Sequence, residues 1–246
     1  MQHYWKANPL VSLDFLTKLP LFPGFSPHER IVLVVPHPDD ETLGCGGLVQ
    51  KITTAQLPFT IVMVSDGNRR GKKVRRRGEV IRAMAHCGLR DDQFVFLDFP
   101  DGKLASTPEI HDALKHQLEA LAPTMVIVTD PEDIHDDHAV LGVVVEQLCE
   151  HIKSIQQVWG FLIHYHRFPR PLGRMPHAPL LPPGRLVSAD RAWVTLPLDP
   201  NEQAIKRQAI REFKSQLFTP FLRGLMFSFD RPNEIYRRIW LLNPAE

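Results

Sequence analysis

Ile31-Val32-Leu33-Val34-Val35, followed at once by Pro36-His37-Pro38-Asp39-Asp40-Glu41, is the stretch on which the reading of this chain turns. An unbroken β-rich apolar run suits a strand buried on both faces of a parallel sheet. Similar runs return at Phe59–Val64 (FTIVMV), Phe94–Leu97 and Met125–Val128 (MVIV). Between them helical spacing covers Leu43–Ala55, about Val74–Cys87 with Gly88 as its stop, Pro108–Leu121 with Thr107 as N-cap, and about Asp136–Ile152. Strands alternating with helices predict βαβ units with right-handed crossovers. The expected fold is α/β: a Rossmann-like, mostly parallel sheet with helices on both faces and its active site at the carboxyl ends of the strands. Trp193–Leu196 predicts an edge strand and Asn201–Gln216 a further helix.

Composition bounds what this fold is for. With 246 residues, 43% of them hydrophobic, the chain has material for one substantial core, and a single domain over 1–246 is expected. Residues 1–30 read as a leading extension with one short helix, and 167–183 as a long Pro/Gly-rich loop, of the kind that often carries function. A formal net charge of +1 speaks against a dedicated nucleic-acid binder. No apolar run reaches the length of a membrane span, and the start MQHYWKANPLVSLDF lacks the pattern of a secretory signal. Cys45, Cys87 and Cys149, odd in number and without CxxC spacing, predict reduced thiols in a cytoplasmic protein.

His37, Asp39, Asp40 and Glu41 crowd the carboxyl end of the first strand, where open α/β sheets bind ligands. A His and an Asp there can turn to one metal ion while the neighbouring carboxylate stays free as a base. The plainer reading is an acidic turn that caps the next helix. Gly44, Gly46 and Gly47 follow, where close backbone approach is allowed. A second cluster, Thr129-Asp130-Pro131-Glu132-Asp133-Ile134-His135-Asp136-Asp137-His138, follows the strand at 125–128. If the two strands are neighbours, the loops converge and His138 completes a His, Asp, His set with His37 and Asp40. Three protein ligands and one open position describe a catalytic zinc site; Fe2+, Co2+ or Mn2+ suit the same donors. The plainer reading of this second loop is a polar cap with solvated histidines.

The paired stretches VPHPDDETLGCGG and IHDDHAV resemble the PIG-L/LmbE-like family of zinc-dependent N-acetylglucosaminyl de-N-acetylases, whose hallmarks are an (A)HPDDE loop and a later HxDH motif. Pro36 stands where that family has Ala, and Asp136 where it has Pro. SDG at 65–67, Arg76 with Glu79, FPDGKL at 99–104, LIHYHRFPRP and the tail RPNEIY at 231–236 extend the likeness over most of the chain. The resemblance implies that His37, Asp40 and His138 hold zinc and that Asp39 is the general base. It makes His135 the group that stabilises the oxyanion or protonates the amine, oriented by Asp137. Glu41 would support the loop, and Arg76 and Asp101 would touch substrate. A tyrosine that some members carry two residues before the first His of HxDH is here Asp133. The implied reaction is hydrolysis of an acetamide on an amino sugar or its glycan, lipid-linked or nucleotide-linked conjugate. Zinc suits it by lowering the pKa of bound water to about 7 and polarising the carbonyl.

Other readings compete with this one. The same metal would serve an amidase on a thiol–sugar conjugate or a phosphoester hydrolase. The basic run RRGKKVRRR at 69–77 suits a phosphate clamp, a peripheral contact with an anionic membrane or RNA, or a merely solvated loop. If it were a binding surface, the protein would be a non-catalytic phosphoglycan- or RNA-binding module. His164 and His166 alternate on IHYHR, which predicts a shared strand face near the pocket or a structural role.

Overall fold

The computed structural model describes residues 19–68, 71–187 and 192–241. Its strands are β1 (Ile31–Val35), β2 (Phe59–Ser65), β3 (Phe94–Phe99), β4 (Met125–Thr129), β5 (Gln157–Phe161), β6 (Trp193–Pro197) and β7 (Asn233–Leu241). The helices are α1 (Asp40–Thr54), α2 (Lys73–His86), α3 (Pro108–Leu121), α4 (Asp136–Cys149), α5 (Pro200–Glu212), α6 (Lys214–Leu217) and α7 (Pro220–Phe227). The strands form a seven-stranded sheet in the order β3-β2-β1-β4-β5-β7-β6. β1 lies parallel between β2 and β4, with Ile31 opposite Phe59 on one side and Met125 on the other. β7 runs antiparallel between β5 and β6. This is the expected mostly parallel α/β sheet. Its winding reverses between β1 and β4, and there a crevice opens beyond the strand ends.

The centre of the sheet is buried on both faces, and β1 is apolar at every position. Ile31, Leu33 and Val35 pack with α1, α2 and α5, while Val32 and Val34 face α3 and α4. Each such side chain contributes roughly 1.5–3 kcal/mol on burial. α1 lies unusually close to its neighbours. A Cβ on Gly44 would stand 2.1 Å from the Phe161 ring and one on Gly47 2.2 Å from Leu198. Gly44 and Gly47 lie within α1 and let its backbone approach Phe161 and Leu198 this closely.

RPNEIY is scaffold. The fully buried Arg231 donates from Nε to Ser228 O (2.6 Å), from Nη1 to Met175 O (3.3 Å) and Ala178 O (3.4 Å), and from Nη2 to Pro171 O. Asn233 exchanges two hydrogen bonds with the Leu180 backbone. The irregular segment 167–183 is thus a strap tied to the core. Glu234 accepts from Lys206 Nζ (2.6 Å), Tyr236 OH (2.8 Å) and the amides of Gly47 (2.7 Å) and Leu48 (2.9 Å). Both Lys206 and Glu234 are 1% exposed. Glu234→Ala would leave a buried ammonium unpaired, and we expect chemical denaturation to show a loss of about 3–5 kcal/mol.

Several sequence expectations change. The short helix expected in the leading extension is absent from 19–30, and residues 1–18 lie outside the described residues. Part of that extension is core: Phe22 is buried, its ring 4.9 Å from Trp159 and 5.1 Å from Tyr236. The helix expected over 201–216 breaks at Phe213, where the chain turns so that the Ser215 amide reaches Glu79 Oε1 (2.9 Å). The helix after β4 ends at Cys149. Thr107 occupies the N-cap of α3 without a side-chain capping bond.

Candidate active site

The loops leaving β1 and β4 meet at the crevice. His37 Nδ1, Asp40 Oδ2 and His138 Nε2 form a nearly equilateral triangle with edges of 3.2, 3.3 and 3.3 Å. All three residues are buried. The other nitrogen of each ring donates to a carboxylate: His37 Nε2 to Asp137 Oδ2 (2.9 Å) and His138 Nδ1 to Asp133 Oδ2 (3.3 Å). Those bonds fix the tautomers and leave two imidazole lone pairs and one carboxylate oxygen aimed at a common point. A tetrahedral ion with bonds of about 2.0–2.1 Å needs donor–donor edges of about 3.3–3.4 Å. The donor set therefore fits a borderline divalent metal. A wider grouping, His37 with His135 and His138, and another, His37 with Asp101 and Asp137, also hold ligand atoms within 4.8 Å of one another. The 3.2–3.3 Å triangle is the better cage because its edges match such an ion, and Asp137 is already engaged with the outer nitrogen of His37.

The electrostatics agree. Burial alone would depress the imidazoles, yet Asp137 and Asp40 push His37 up to about 9, and Asp40 and Asp133 push His138 up to about 10. Burial would raise the Asp40 carboxyl, but His138 and His37 hold it well below the usual carboxylate range. This is a pocket of negative potential in which a cation, proton or metal, is strongly favoured, and metal displaces protons there.

Asp39 stands beside the triangle with φ 137° and ψ −26°, a conformation that L side chains rarely adopt. The strain is held by its neighbours. Its amide donates to Glu41 Oε2 (3.0 Å), and the amides of Thr42 and Leu43 donate to its carbonyl (3.1 and 2.9 Å). Glu41 is fully buried, which pushes its carboxyl up to about 8, and it also accepts from Thr42 Oγ1 (2.6 Å). Arg76 donates from Nη2 to Pro38 O (2.8 Å) and lies 3.4 Å from Asp39 Oδ2, while its Nη1 reaches Asp101 Oδ2 (3.1 Å). Burial raises the Asp39 carboxyl and the Arg76 charge opposes it. Arg76 and Asp101 thus form one bridge over the site.

His135 caps α4 beside the triangle, its ring centroid 5.0 Å from His37 and 4.8 Å from His138. Burial, then the charges of His138 and His37, lower its pKa, so the resting ring is neutral. The expectation that Asp137 orients His135 is corrected. Asp137 accepts from His37, from Gly102 N (2.8 Å) and from Leu104 N (3.0 Å). Two residues apart at a helix start, the side chains of 135 and 137 leave on opposite sides.

One residue of the site was given no role in the sequence. Asp133, noted only as standing in place of a tyrosine, holds His138 and takes the amides of His135 (2.9 Å), Ile163 (3.0 Å) and His164 (2.8 Å). An Asp five residues before His138 was the available signal. Asp133→Asn should weaken metal binding by about 10–100-fold, measured by chelator competition. His164 lines the site, its ring 5.0 Å from His138 and 5.4 Å from His135. The strand expected to carry His164 and His166 on one face is absent. β5 ends at Phe161, because Asp133 captures the amides beyond it, and His166 packs on Tyr165 instead.

Within the basic run, Arg69 and Arg70 lie outside the described residues. Lys73 and Arg77 both pair with Asp98 (3.1 and 2.6 Å), and Arg75 pairs with Glu79 (3.0 Å). Such pairing favours the solvated helix start over a phosphate clamp. Cys45, Cys87 and Cys149 are buried and unbridged.

Residues 32–149 match the family model PIG-L, described as GlcNAc-PI de-N-acetylase. A diacetylchitobiose deacetylase of Thermococcus kodakarensis is 26% identical over 145 residues, covering 54% of this chain and 52% of that protein. A probable N-acetyl-alpha-D-glucosaminyl L-malate deacetylase 2 of Bacillus cereus is 30% identical over 128 residues, covering 46% of this chain and 58% of the relative. The matched stretch thus spans about half the length of these curated relatives. Among solved structures, an N,N'-diacetylchitobiose deacetylase from Pyrococcus horikoshii superposes with a TM-score of 0.64 at 20% identity, covering 86% of this chain and 84% of that one. That likeness carries the fold.

Proposed function

We propose, from the match of residues 32–149 to the PIG-L family model, that the chain is a single-domain, metal-dependent amide hydrolase that removes acetyl from an N-acetylated amino sugar or its conjugate. The observation that carries the reading is the 3.2–3.3 Å triangle of His37, Asp40 and His138 with the Asp39 carboxylate, held by Arg76, beside it. Zinc is the proposed ion, held by these three residues; Fe2+, Co2+ and Mn2+ suit the same donors. When bound, the ion supplies Lewis acidity toward water and toward the acetamide carbonyl.

The chain's own groups do the rest. Asp39 takes a proton from the attacking water as the C–O bond forms, and returns it to nitrogen as the C–N bond breaks. Acetate and a free amine leave. His135 faces the charge that develops on the carbonyl oxygen. Arg76 holds Asp39 in place and, with Asp101, presents polar atoms to the sugar. Glu41 keeps the strained Asp39 backbone where it is, and Asp137 fixes His37 as a ligand.

The proposed setting is cytoplasmic, supported by three buried free thiols. Among the described residues no helix is long and apolar enough to cross a membrane. The test is acetate release from a panel of N-acetylated sugars, with and without a chelator. Chelator-sensitive acetate release is the expected result; a metal-loaded protein inert toward the whole panel would count against the proposal.

A further inference from the structure

The segment 211–229 presents a surface that the proposed reaction does not use. Phe218 is 84% exposed and Phe221 71%, at the junction of α6 and α7. The other exposed positions from 211 to 223 are Arg211, Lys214, Thr219, Pro220 and Arg223. Glu212, the single acid between 211 and 229, is engaged by Arg82 (3.2 Å) and His86 (3.4 Å). The strap lies against α7, where Gly173 N donates to Ser228 Oγ (2.7 Å) and Gly224 O (3.2 Å). On either side of Gly173 the strap exposes Leu172 and Met175, each 41%. One edge of the molecule thus combines protruding aromatic and aliphatic side chains with cations, and no acid stands open among them.

We propose that this α6–α7 edge docks on an anionic phospholipid surface, with Phe218 and Phe221 at the headgroup–acyl boundary and Arg211, Lys214 and Arg223 meeting lipid phosphates. Aromatic rings flanked by Lys and Arg are the chemistry of an interfacial anchor. A second copy of the chain fits poorly, because a two-fold interface would set these cations against one another. Each cation near an anionic surface favours binding by about fivefold, and the two rings add apolar insertion to that.

The test is sedimentation of the full chain with vesicles of phosphatidylcholine alone or mixed with phosphatidylglycerol. Binding to the mixed vesicles alone is expected, weakened at least about tenfold by Phe218→Ser with Phe221→Ser and again by Lys214→Glu or high salt. Melting temperature and metal content of the variants should match wild type. Should the double variant fail to fold, Phe218→Trp serves: its added emission shifts to the blue with mixed vesicles. Absence of vesicle binding, binding that the serine variant leaves unchanged, an unshifted Trp emission, or a dimer that the serine variant splits overturns the proposal. The readout is lipid binding, so it fails or succeeds independently of acetate release.

Discussion

Asp39→Asn should reduce acetate release by about 10²–10⁴-fold while the protein keeps its full complement of metal. The substitution is nearly isosteric. The bonds that hold the strained turn at φ 137° run through the backbone amide and carbonyl of residue 39, so the substitution leaves them in place. The amide can still meet Arg76, whose Nη2 lies 3.4 Å from Asp39 Oδ2. What disappears is the only property the mechanism asks of this side chain, the capacity to hold a proton between water and the leaving nitrogen. A thousandfold loss corresponds to about 4 kcal/mol of transition-state stabilisation. Asp39→Ala should be similarly inactive, and it would also leave Arg76 without that carboxylate partner. Wild-type turnover in metal-loaded Asp39→Asn would remove Asp39 from the chemistry and leave the metal alone to activate water.

His138→Ala should abolish both turnover and stoichiometric metal binding. The His138 ring is fully buried between Asp40 Oδ2 and Asp133 Oδ2, at 3.3 Å from each. Its removal takes one corner from the triangle and leaves two buried carboxylates without their common counter-charge. Breaking such a buried arrangement costs about 3–5 kcal/mol. Metal titration of the melting curve separates the two effects. In wild type, free metal at a hundred times its dissociation constant adds about 2.7 kcal/mol of stability, and the variant should gain nothing. A metal-dependent rise in melting temperature that survives in His138→Ala would place the ion elsewhere, the His37–Asp101–Asp137 grouping being the first alternative.

The parallel core was legible because β1, β2 and β4 are uninterrupted apolar runs, and a strand buried on both faces has no other way to be written. β5 and β7 escaped for physical reasons. Gly160 interrupts the first, and Arg237 and Arg238 sit in the middle of the second. The Arg237 charge is tolerated there because Asp130 takes it in two hydrogen bonds of 2.6 and 2.7 Å, a partner more than a hundred residues away that no local pattern reveals. The approach of His37, Asp40 and His138 was legible once two acid-rich loops followed two neighbouring strands. The carboxylates behind the two imidazoles were harder. Asp133 and Asp137 are ordinary loop acids until the fold decides which ring each one faces, and the helix start turned Asp137 away from His135. RPNEIY carried a family likeness but no visible duty; only the packed structure shows it holding the strap through Arg231.

The position of β1 between β2 and β4 has a consequence for biosynthesis. A ribosome delivers the first ligand loop long before the second, so a partly made chain can zip β3, β2 and β1 together while one side of β1 still lacks its neighbour. During that interval the nascent protein owns only His37 and Asp40 of the eventual trio, a poor trap for any ion. On the proposed reading an ion would load only once β4 slots in along β1 and brings His138 to His37, which would make metal a late lock on the clustered acids and imidazoles.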